Sequence, residues 1–272
     1  MKIDNSLYLV DSFTSEPFKG NPAGVCLMEE MREASEMLSI AAELGFSETA
    51  FVLKADAKGI YRIRYFSPKM EIPLCGHATL AAAKVLFSES QSLDKVQFQT
   101  IKNTLLVVEK DGEKIVMRFP LYQTQPTEAP ATLLRALGIT NALNCEYNSE
   151  TNMLLVEIES SEVLRALAPD YSTLIESHSG IDGVLVTAKS SQEEFDFESR
   201  YFWPWSGTLE DPVTGATHTF LAPYWSKKLG KTTMKSFQCS KRTGSMTVSV
   251  VDGKELLIKG EAQIIFQGKL LV

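Results

Sequence analysis

In this chain the residues Arg64-Tyr65-Phe66-Ser67-Pro68 lead into Glu71-Ile72-Pro73-Leu74-Cys75-Gly76. A near copy follows later, where Arg200-Tyr201-Phe202-Trp203-Pro204 leads into Glu210-Asp211-Pro212-Val213-Thr214-Gly215. Each copy runs from a strand-like Arg-Tyr-Phe through a proline-bearing loop to a Glu-x-Pro-apolar-x-Gly turn. A helix rich in small apolar residues comes next. Since a solenoid needs more than two units, the pattern predicts two similar domains.

Length and composition agree with two globular domains. The chain has 272 residues, of which 44% are hydrophobic and 22% charged, so it can bury proper cores. The formal net charge of −7 argues against a nucleic-acid partner, because phosphate binding requires a basic face. No apolar stretch approaches the roughly 20 residues of a membrane span, and the N-terminus has no apolar signal core. We therefore expect a cytoplasmic protein with no membrane partner.

The cysteines support the same compartment. Cys26, Cys75, Cys145 and Cys239 are scattered without paired spacing. This distribution is typical of thiols in a reducing compartment rather than of a disulfide framework.

Strand-like runs dominate both halves, with one prominent helix in each. The first helix, His77–Phe87, is apolar nearly all round and must therefore be buried. The second, Ala216–Trp225, contains Pro223, which should kink or restrict it. We expect an α+β fold of two similar domains, each an antiparallel strand barrel around a central buried helix. The predicted domains are residues 1–118 and 119–272, unless the closing strand returns to the first domain.

Each predicted helix begins immediately after a glycine, at Gly76 and Gly215. Free backbone N–H groups and the positive end of the helix dipole converge at such a position, which favours an anion or a developing oxyanion. If the two helix starts face one cleft between the domains, they would grip a small carboxylated substrate from both sides.

Four motifs, taken in order, identify a family. They are Phe18-Lys19-Gly20-Asn21-Pro22-Ala23-Gly24-Val25, Gly45-Phe46-Ser47-Glu48-Thr49-Ala50-Phe51, the first repeated stretch with Cys75-Gly76-His77-Ala78-Thr79, and Glu210-Asp211-Pro212-Val213-Thr214-Gly215. With these motifs the chain resembles the phenazine-biosynthesis PhzF-like family, which has the diaminopimelate-epimerase-like fold. The resemblance implies twin domains with the active site in the cleft between them, a homodimer, and neither metal nor organic cofactor. It also implies an isomerase that moves a proton on a small carboxylated substrate.

The resemblance assigns catalysis to three residues. Glu48 is implied as the general acid/base, and a carboxyl group enclosed in a dry cleft can have its pKa raised towards neutrality. His77 and Asp211 are implied as groups that contact the substrate or relay and orient the proton. The alternative interpretation, without the resemblance, is that all three are ordinary structural residues. Glu48 is then a surface carboxylate, His77 a helix-start residue bonded to backbone, and Asp211 an N-cap or turn carboxylate.

Substrate contacts are assigned to the same regions. At Gly76 and Gly215 the backbone would approach the ligand closely, and Ala216 and Thr217 would present N–H groups. The family often has serine where Ala216 stands, so a hydroxyl contact there is lost or passed to Thr217. The full set of predicted substrate-binding residues is Asn21, Gly76, Ala78, Gly215, Ala216 and Thr217.

Cys75 separates two mechanisms within this fold. Cofactor-independent racemases of the superfamily use two thiols, one at each helix start, whereas Thr214 stands opposite Cys75 in the repeat. A threonine hydroxyl cannot be an effective carbon base at neutral pH, so two-thiol racemisation is disfavoured. Cys75 is interpreted as a packing residue that lines the pocket.

Three questions stay open at this point. Trp203 and Trp205 could be surface packing of a long loop or an aromatic wall for the substrate. His218 could approach the cleft or be a satisfied core histidine. The chain could also be a non-catalytic small-molecule binding or scaffold protein, or a racemase/epimerase of the same fold, although a scaffold has no physical need for Glu48.

Overall fold

The computed structural model describes residues 5–271, which divide into two compact units. The first unit comprises residues up to Arg118 together with the segment from Ile258 onward, and the second spans Phe119–Leu257. The chain therefore returns to the first unit after completing the second. Within residues 5–271, no helix is both long enough and apolar enough to cross a membrane.

Strands make up most of the regular structure. Residues 5–271 contain eighteen of them: β1 (Ser6–Ser12), β2 (Asn21–Met28), β3 (Glu48–Leu53), β4 (Ile60–Phe66), β5 (Glu71–Ile72), β6 (Lys95–Gln99), β7 (Leu105–Asp111), β8 (Lys114–Pro120), β9 (Gln125–Pro126), β10 (Asn144–Asn148), β11 (Met153–Glu157), β12 (Gly183–Lys189), β13 (Phe197–Trp203), β14 (Thr208–Asp211), β15 (Thr233–Gln238), β16 (Gly244–Val251), β17 (Glu255–Gly260) and β18 (Ala262–Lys269).

The two expected helices are present, together with four that the sequence pattern did not predict. The six described helices are α1 (Ala34–Leu44), α2 (Gly76–Glu89), α3 (Ala131–Leu137), α4 (Ser161–Ala166), α5 (Tyr171–Ser177) and α6 (His218–Leu229). Helices α3, α4 and α5 have only six or seven residues each. A helix of two turns is too short for its hydrophobic periodicity to be distinguished from that of a strand.

The two repeated stretches build the same ladder in their own units. Strand β4 pairs antiparallel with β3 and β5 and parallel with β6. Strand β13 pairs antiparallel with β12 and β14 and parallel with β15. Parallel pairs such as these accompany the antiparallel pairs that the sequence predicted.

In each ladder one arginine pairs with a glutamate of the adjacent short strand. In the first unit, Arg64 donates from Nε and Nη2 to the two carboxylate oxygens of Glu71, both at 2.7 Å. Its guanidinium lies 5.2 Å from the centre of the Phe66 ring. Such two-pronged pairs add geometric specificity as well as energy, so this contact fixes the start of the turn against its strand.

The second unit repeats this arrangement. Arg200 donates from Nε and Nη2 to Glu210 at 2.7 and 2.8 Å, and its guanidinium lies 4.9 Å from the Phe202 ring centre. The pattern Arg-x-Phe followed by Glu, which occurs twice in the sequence, therefore forms the same ion pair and the same ring contact in both stretches.

Helix α2 is buried, as its composition predicted. Ten of its fourteen residues are buried, and it packs against β1, β2, β3, β7 and β18 of the first unit. Because the strands cover it on several sides, the helix cannot turn or slide without opening this core. Its N-terminus is consequently a fixed point of the first unit.

Helix α6 begins later than expected. The sequence pattern predicts a helix directly after Gly215, but Gly215–Thr217 form a turn and the helix begins at His218. The reason is local, because the His218 N–H bonds the Gly215 carbonyl with i→i+3 spacing at 3.0 Å, which is tighter than an α-helical turn. Pro223 lies inside the helix.

His218 is a satisfied core histidine. It is fully buried, its Nδ1–H donates to the Thr214 carbonyl at 3.0 Å, and its Nε2 accepts from the Ser236 hydroxyl at 2.7 Å. Because a carbonyl can only accept, the ring is the neutral Nδ1–H tautomer. Burial lowers the pKa of His218 to about 4, although hydrogen bonds to Thr214 and Gly215 oppose that shift.

His218 should make folding stability depend on pH. An unfolded histidine with a pKa of 6.5 binds a proton that the folded one, with a pKa of about 4, does not. The contribution of His218 to folding stability is therefore fully present above about pH 6.5. It decreases as the pH drops towards 4, by about 2 kcal/mol between pH 7 and pH 5. Urea unfolding of His218→Gln should show lower stability at pH 7 and a pH-dependent loss smaller by that amount. The partly exposed His178→Gln is the control, and an unchanged pH dependence in His218→Gln would contradict the assignment.

Gly20 is required by a close backbone approach between β1 and the start of β2. Its φ is +68°, and a Cβ added there would lie 2.1 Å from the Ser12 carbonyl oxygen. Gly45 has nearly the same φ, +69°, but an added Cβ would meet no atom within 4 Å. Gly45→Ala should therefore lower the free energy of unfolding by about 1 kcal/mol, because only the left-handed backbone disfavours alanine there. Gly20→Ala should lower it by about 3 kcal/mol or more. Urea unfolding of both variants measures the difference, and equal losses would show that the Ser12 contact is unimportant.

Candidate active site

The start of α2 is a meeting point of polar side chains in the first unit. Asn21 begins β2, Glu48 begins β3 directly after Ser47, and Cys75 and His77 stand at the N-terminus of α2. We call these five residues the Glu48 cluster. They come together because β2 and β3 run parallel from adjacent starting points, with Ala23 opposite Glu48.

Glu48 and His77 form the central contact of the Glu48 cluster. Glu48 Oε2 lies 3.2 Å from His77 Nε2, and their side chains are only 12% and 9% exposed. When the carboxylate is ionised it can only accept, so Nε2 carries the hydrogen and donates it to Glu48. The Ser47 hydroxyl also lies 3.4 Å from Nε2. Ser47 belongs to the Gly45–Phe51 motif, from which no role for its side chain was predicted.

The other ring nitrogen of His77 faces Asn21 and Cys75. The Asn21 amide nitrogen and the Cys75 Sγ each lie 3.4 Å from Nδ1. With the hydrogen on Nε2, Nδ1 has a lone pair that can accept from the Asn21 amide or from the thiol. Asn21, predicted to bind substrate, thus also supports the tautomer in which His77 donates to Glu48.

His77 is held neutral by its surroundings. Burial lowers the pKa of the imidazole, and the nearby Glu48 carboxylate opposes the shift without cancelling it. His77 therefore brings no full charge to its contact with Glu48. A neutral imidazole can give or receive a proton without first losing a strong ion pair.

The backbone around the Glu48 cluster is fixed by three side chains. The Ser12 hydroxyl donates to the His77 carbonyl at 2.8 Å, and the Thr79 hydroxyl donates to the Cys75 carbonyl at 2.6 Å. The Tyr65 hydroxyl lies 2.6 Å from the same threonine oxygen. All three side chains are almost completely buried, so they fix the position of the first turn of α2.

Asp211 closes the turn of the second unit. It ends β14 and is 8% exposed, and its carboxylate accepts a hydrogen bond from the Thr214 hydroxyl. Gln238 ties the same turn from β15, donating to the Asp211 carbonyl at 2.7 Å and accepting from the Thr214 N–H at 2.8 Å. Sequence reasoning missed Gln238, because a glutamine in a strand carries no signal until tertiary structure places it.

The predicted substrate-binding residues differ in exposure. Gly76 is the first residue of α2, whereas Ala78 is fully buried within it. Gly215 is buried and Ala216 is exposed. Thr217 is buried and its hydroxyl donates to the Thr214 carbonyl at 3.1 Å, so the hydroxyl is engaged within the turn. The roles given to these residues, and a cleft shared by the two turns, stay predictions.

The two loop tryptophans have different surroundings. Trp205 packs on the core of the second unit, and its Nε1–H donates to the carbonyls of Ile175 and His178 at 3.1 and 3.0 Å. Trp205 is therefore a packing residue. Trp203 stacks on Tyr201, with ring centres 6.0 Å apart and planes 23° apart. A contact of Trp203 with substrate stays a prediction.

Comparison with known proteins finds relatives that match this chain over nearly its whole length. A family model described as phenazine biosynthesis-like protein, PhzC-PhzF, matches residues 10–268. A Pseudomonas aeruginosa protein named as an uncharacterized isomerase is 40% identical over 267 residues, covering 97% of this chain and 98% of that protein. The crystal structure of an Enterococcus faecalis phenazine biosynthesis protein of the PhzF family is 35% identical, with a TM-score of 0.92 and coverage of 99% and 100%.

A more distant likeness concerns the fold alone. The structure of a hydroxyproline epimerase from Agrobacterium vitis is 11% identical, with a TM-score of 0.58 and coverage of 98% of this chain and 92% of that one. The predicted fold class is thereby confirmed. This chain belongs to the PhzC-PhzF family of phenazine biosynthesis-like proteins and has the α+β fold of the diaminopimelate and proline epimerases.

Proposed function

We propose that this chain is a cofactor-independent isomerase that moves a proton on a small carboxylated metabolite, with Glu48 as the general acid/base. The observation that carries the proposal is the 3.2 Å contact of Glu48 with the neutral His77 in a largely buried cluster. The relative named as an isomerase supports the reaction class.

The geometry supports a proton transfer by Glu48. Glu48 contacts His77 through Oε2, and its second carboxylate oxygen remains to take a proton from a substrate carbon and return it to another. Charge that develops on the substrate would be stabilised by the N-terminus of α2, where backbone N–H groups and the helix dipole favour an anion. A substrate carboxylate would be favoured there for the same reason.

Further parts of the proposal rest on the sequence. Asp211 would contact the substrate or relay the proton. The remaining substrate contacts would come from Asn21, Gly76, Ala78, Gly215, Ala216 and Thr217. The matching ladders and arginine pairs of β4 and β13 support an internal repeat. A homodimer and a cytoplasmic location stay predictions.

A thiol-dependent epimerase is the second candidate. The observation in its favour is the 3.4 Å distance between Cys75 Sγ and His77 Nδ1, which would let the ring take the thiol proton. Against two-thiol chemistry stands Thr214, the counterpart of Cys75 in the repeat, whose hydroxyl is bonded to Asp211. A non-catalytic binding protein is the third candidate, and it would transfer no proton at all.

Glu48→Gln should abolish proton transfer. The amide keeps the shape of the side chain but cannot titrate, so turnover should fall about 100-fold or more. The measurement is deuterium incorporation from solvent into small hydroxy, amino and unsaturated carboxylic acids, followed by mass spectrometry. The control is Glu43→Gln on the exposed side of α1, which should exchange at the wild-type rate. Normal exchange by folded Glu48→Gln would rule out the mechanism, and no exchange by the wild type would favour a binding protein.

Cys75→Ser should retain most of the activity. Serine is nearly isosteric with cysteine but far less acidic, so the change removes thiol chemistry at a modest packing cost. The same deuterium assay applies, with circular dichroism as the check of folding. A loss as large as that of Glu48→Gln would make Cys75 a participant and favour the thiol-dependent epimerase.

A further inference from the structure

A cleft in the first unit lies away from the Glu48 cluster. Its volume is about 430 Å³, within the roughly 300–1,000 Å³ of small-molecule sites. Arg62 of β4 lies opposite Leu53, the last residue of β3, whereas Glu48 is the first residue of that strand. At about 3.4 Å per residue, roughly 17 Å of strand separates the two positions. We define the Arg62 cleft by its lining, which is Met31, residues 62–64, residues 99–101 and Asn103.

Arg62 brings an unmatched positive charge to the Arg62 cleft. The lining contains two arginines and no acidic residue. Arg64 is already engaged, because its hydrogen bonds to Glu71 raise the pKa of its guanidinium against the effect of burial, and the nearby Glu33 adds to that shift. Arg62 is exposed, and within residues 5–271 its side chain has no hydrogen bond or ion pair. The Arg62 cleft can therefore accept one negative charge.

Two side-chain amides also line the Arg62 cleft. Gln99 of β6 lies opposite Arg62 in a parallel pairing, so their side chains leave the same face of the sheet. Asn103 has a φ of +59° in the turn between β6 and β7, and its backbone N–H donates to the Thr100 carbonyl at 2.9 Å. In the part of the chain that the structure describes, neither amide side chain has a hydrogen-bond partner. Each can donate a hydrogen bond to an oxygen of a ligand.

The Arg62 cleft has an apolar wall as well. Ile101 is 51% exposed, although it is a large aliphatic residue. Met31 is half-buried and packs against the core cluster that contains Phe66. Covering this apolar surface would stabilise a ligand that carries an apolar group. A ligand that matches the lining consequently has one negative group and an apolar body.

We propose that the Arg62 cleft binds a small monocarboxylic acid with an apolar body. The planar guanidinium of Arg62 donates to both carboxylate oxygens, a geometry for which arginine is suited. The amides of Gln99 and Asn103 donate to the same carboxylate, and the apolar body covers Ile101. A single unmatched positive charge favours a monoanion over a doubly charged phosphate.

Arg64 links the Arg62 cleft to the turn before α2. It uses Nε and Nη2 for Glu71, so its Nη1 remains available to donate to a bound carboxylate. A bound acid would therefore contact the ion pair that fixes the start of this turn. The lining includes no carboxylate, histidine or thiol, so the site is suited to an effector rather than to a reacting substrate.

The site is tested by titrating the full chain with sodium hexanoate and recording ¹H–¹⁵N NMR spectra. The side-chain amide signals of Gln99 and Asn103 should shift together. Arg62→Gln should weaken binding about 10-fold or more, because a hydrogen bond to a charged group is lost. Lys102→Gln is the matched control, since it removes a positive charge from the same turn without altering the lining, and it should bind as the wild type does. Circular dichroism checks that both variants fold.

Three further probes test the chemistry of the ligand. Acetate lacks the apolar body and 1-hexanol lacks the charge, so each should bind about 10-fold more weakly than hexanoate. Inorganic phosphate should also bind more weakly. Shifts confined to the start of α2, equal binding by Arg62→Gln, or tighter binding of phosphate than of hexanoate would overturn the proposal. These titrations involve no turnover, so failure to find an isomerase activity would count against the proposed function and not against this site.

Discussion

Helix α2 must be buried on almost every face, and the first unit is arranged around that constraint. Its small apolar residues allow strands to approach closely, and the starts of β2 and β3 reach its N-terminus as a result. Ser12 and Thr79 then bond the carbonyls of its first turn. Glu48 and His77 meet because each is anchored to a rigid element, which gives a precision that two flexible loops could not provide.

Neutral His77 explains how a carboxylate and an imidazole can share a mostly buried place. A buried ion pair would require both charges to leave water. The attraction between the charges can be smaller than the free energy that this desolvation costs. Here burial lowers the pKa of the imidazole, so Glu48 alone carries charge when it is ionised. The same arrangement suits proton transfer, since a carboxylate and a neutral imidazole in contact can each give or accept a proton.

The two repeated stretches share their frame and differ in their chemistry. Arg64 and Arg200 make the same two-pronged pair with glutamate and the same approach to a phenylalanine ring. The helices that follow do not match. In α2 a histidine of the first turn contacts Glu48, whereas His218 of α6 uses both ring nitrogens to bond Thr214 and Ser236. The two units thus share the arginine–glutamate pair, while their histidines have different partners.

The amino-acid pattern alone identified the family and predicted the α+β fold and the burial of α2, because the repeated motif and the continuous apolar run are local signals. It also singled out Glu48 and His77, although not their contact. The fold was needed to show that Asn21 flanks the His77 ring and that Gln238 closes the Asp211 turn. These contacts join residues far apart in the chain, and no local pattern encodes such distances. The short helices α3, α4 and α5 were missed for a related reason, since packing rather than periodicity stabilises them.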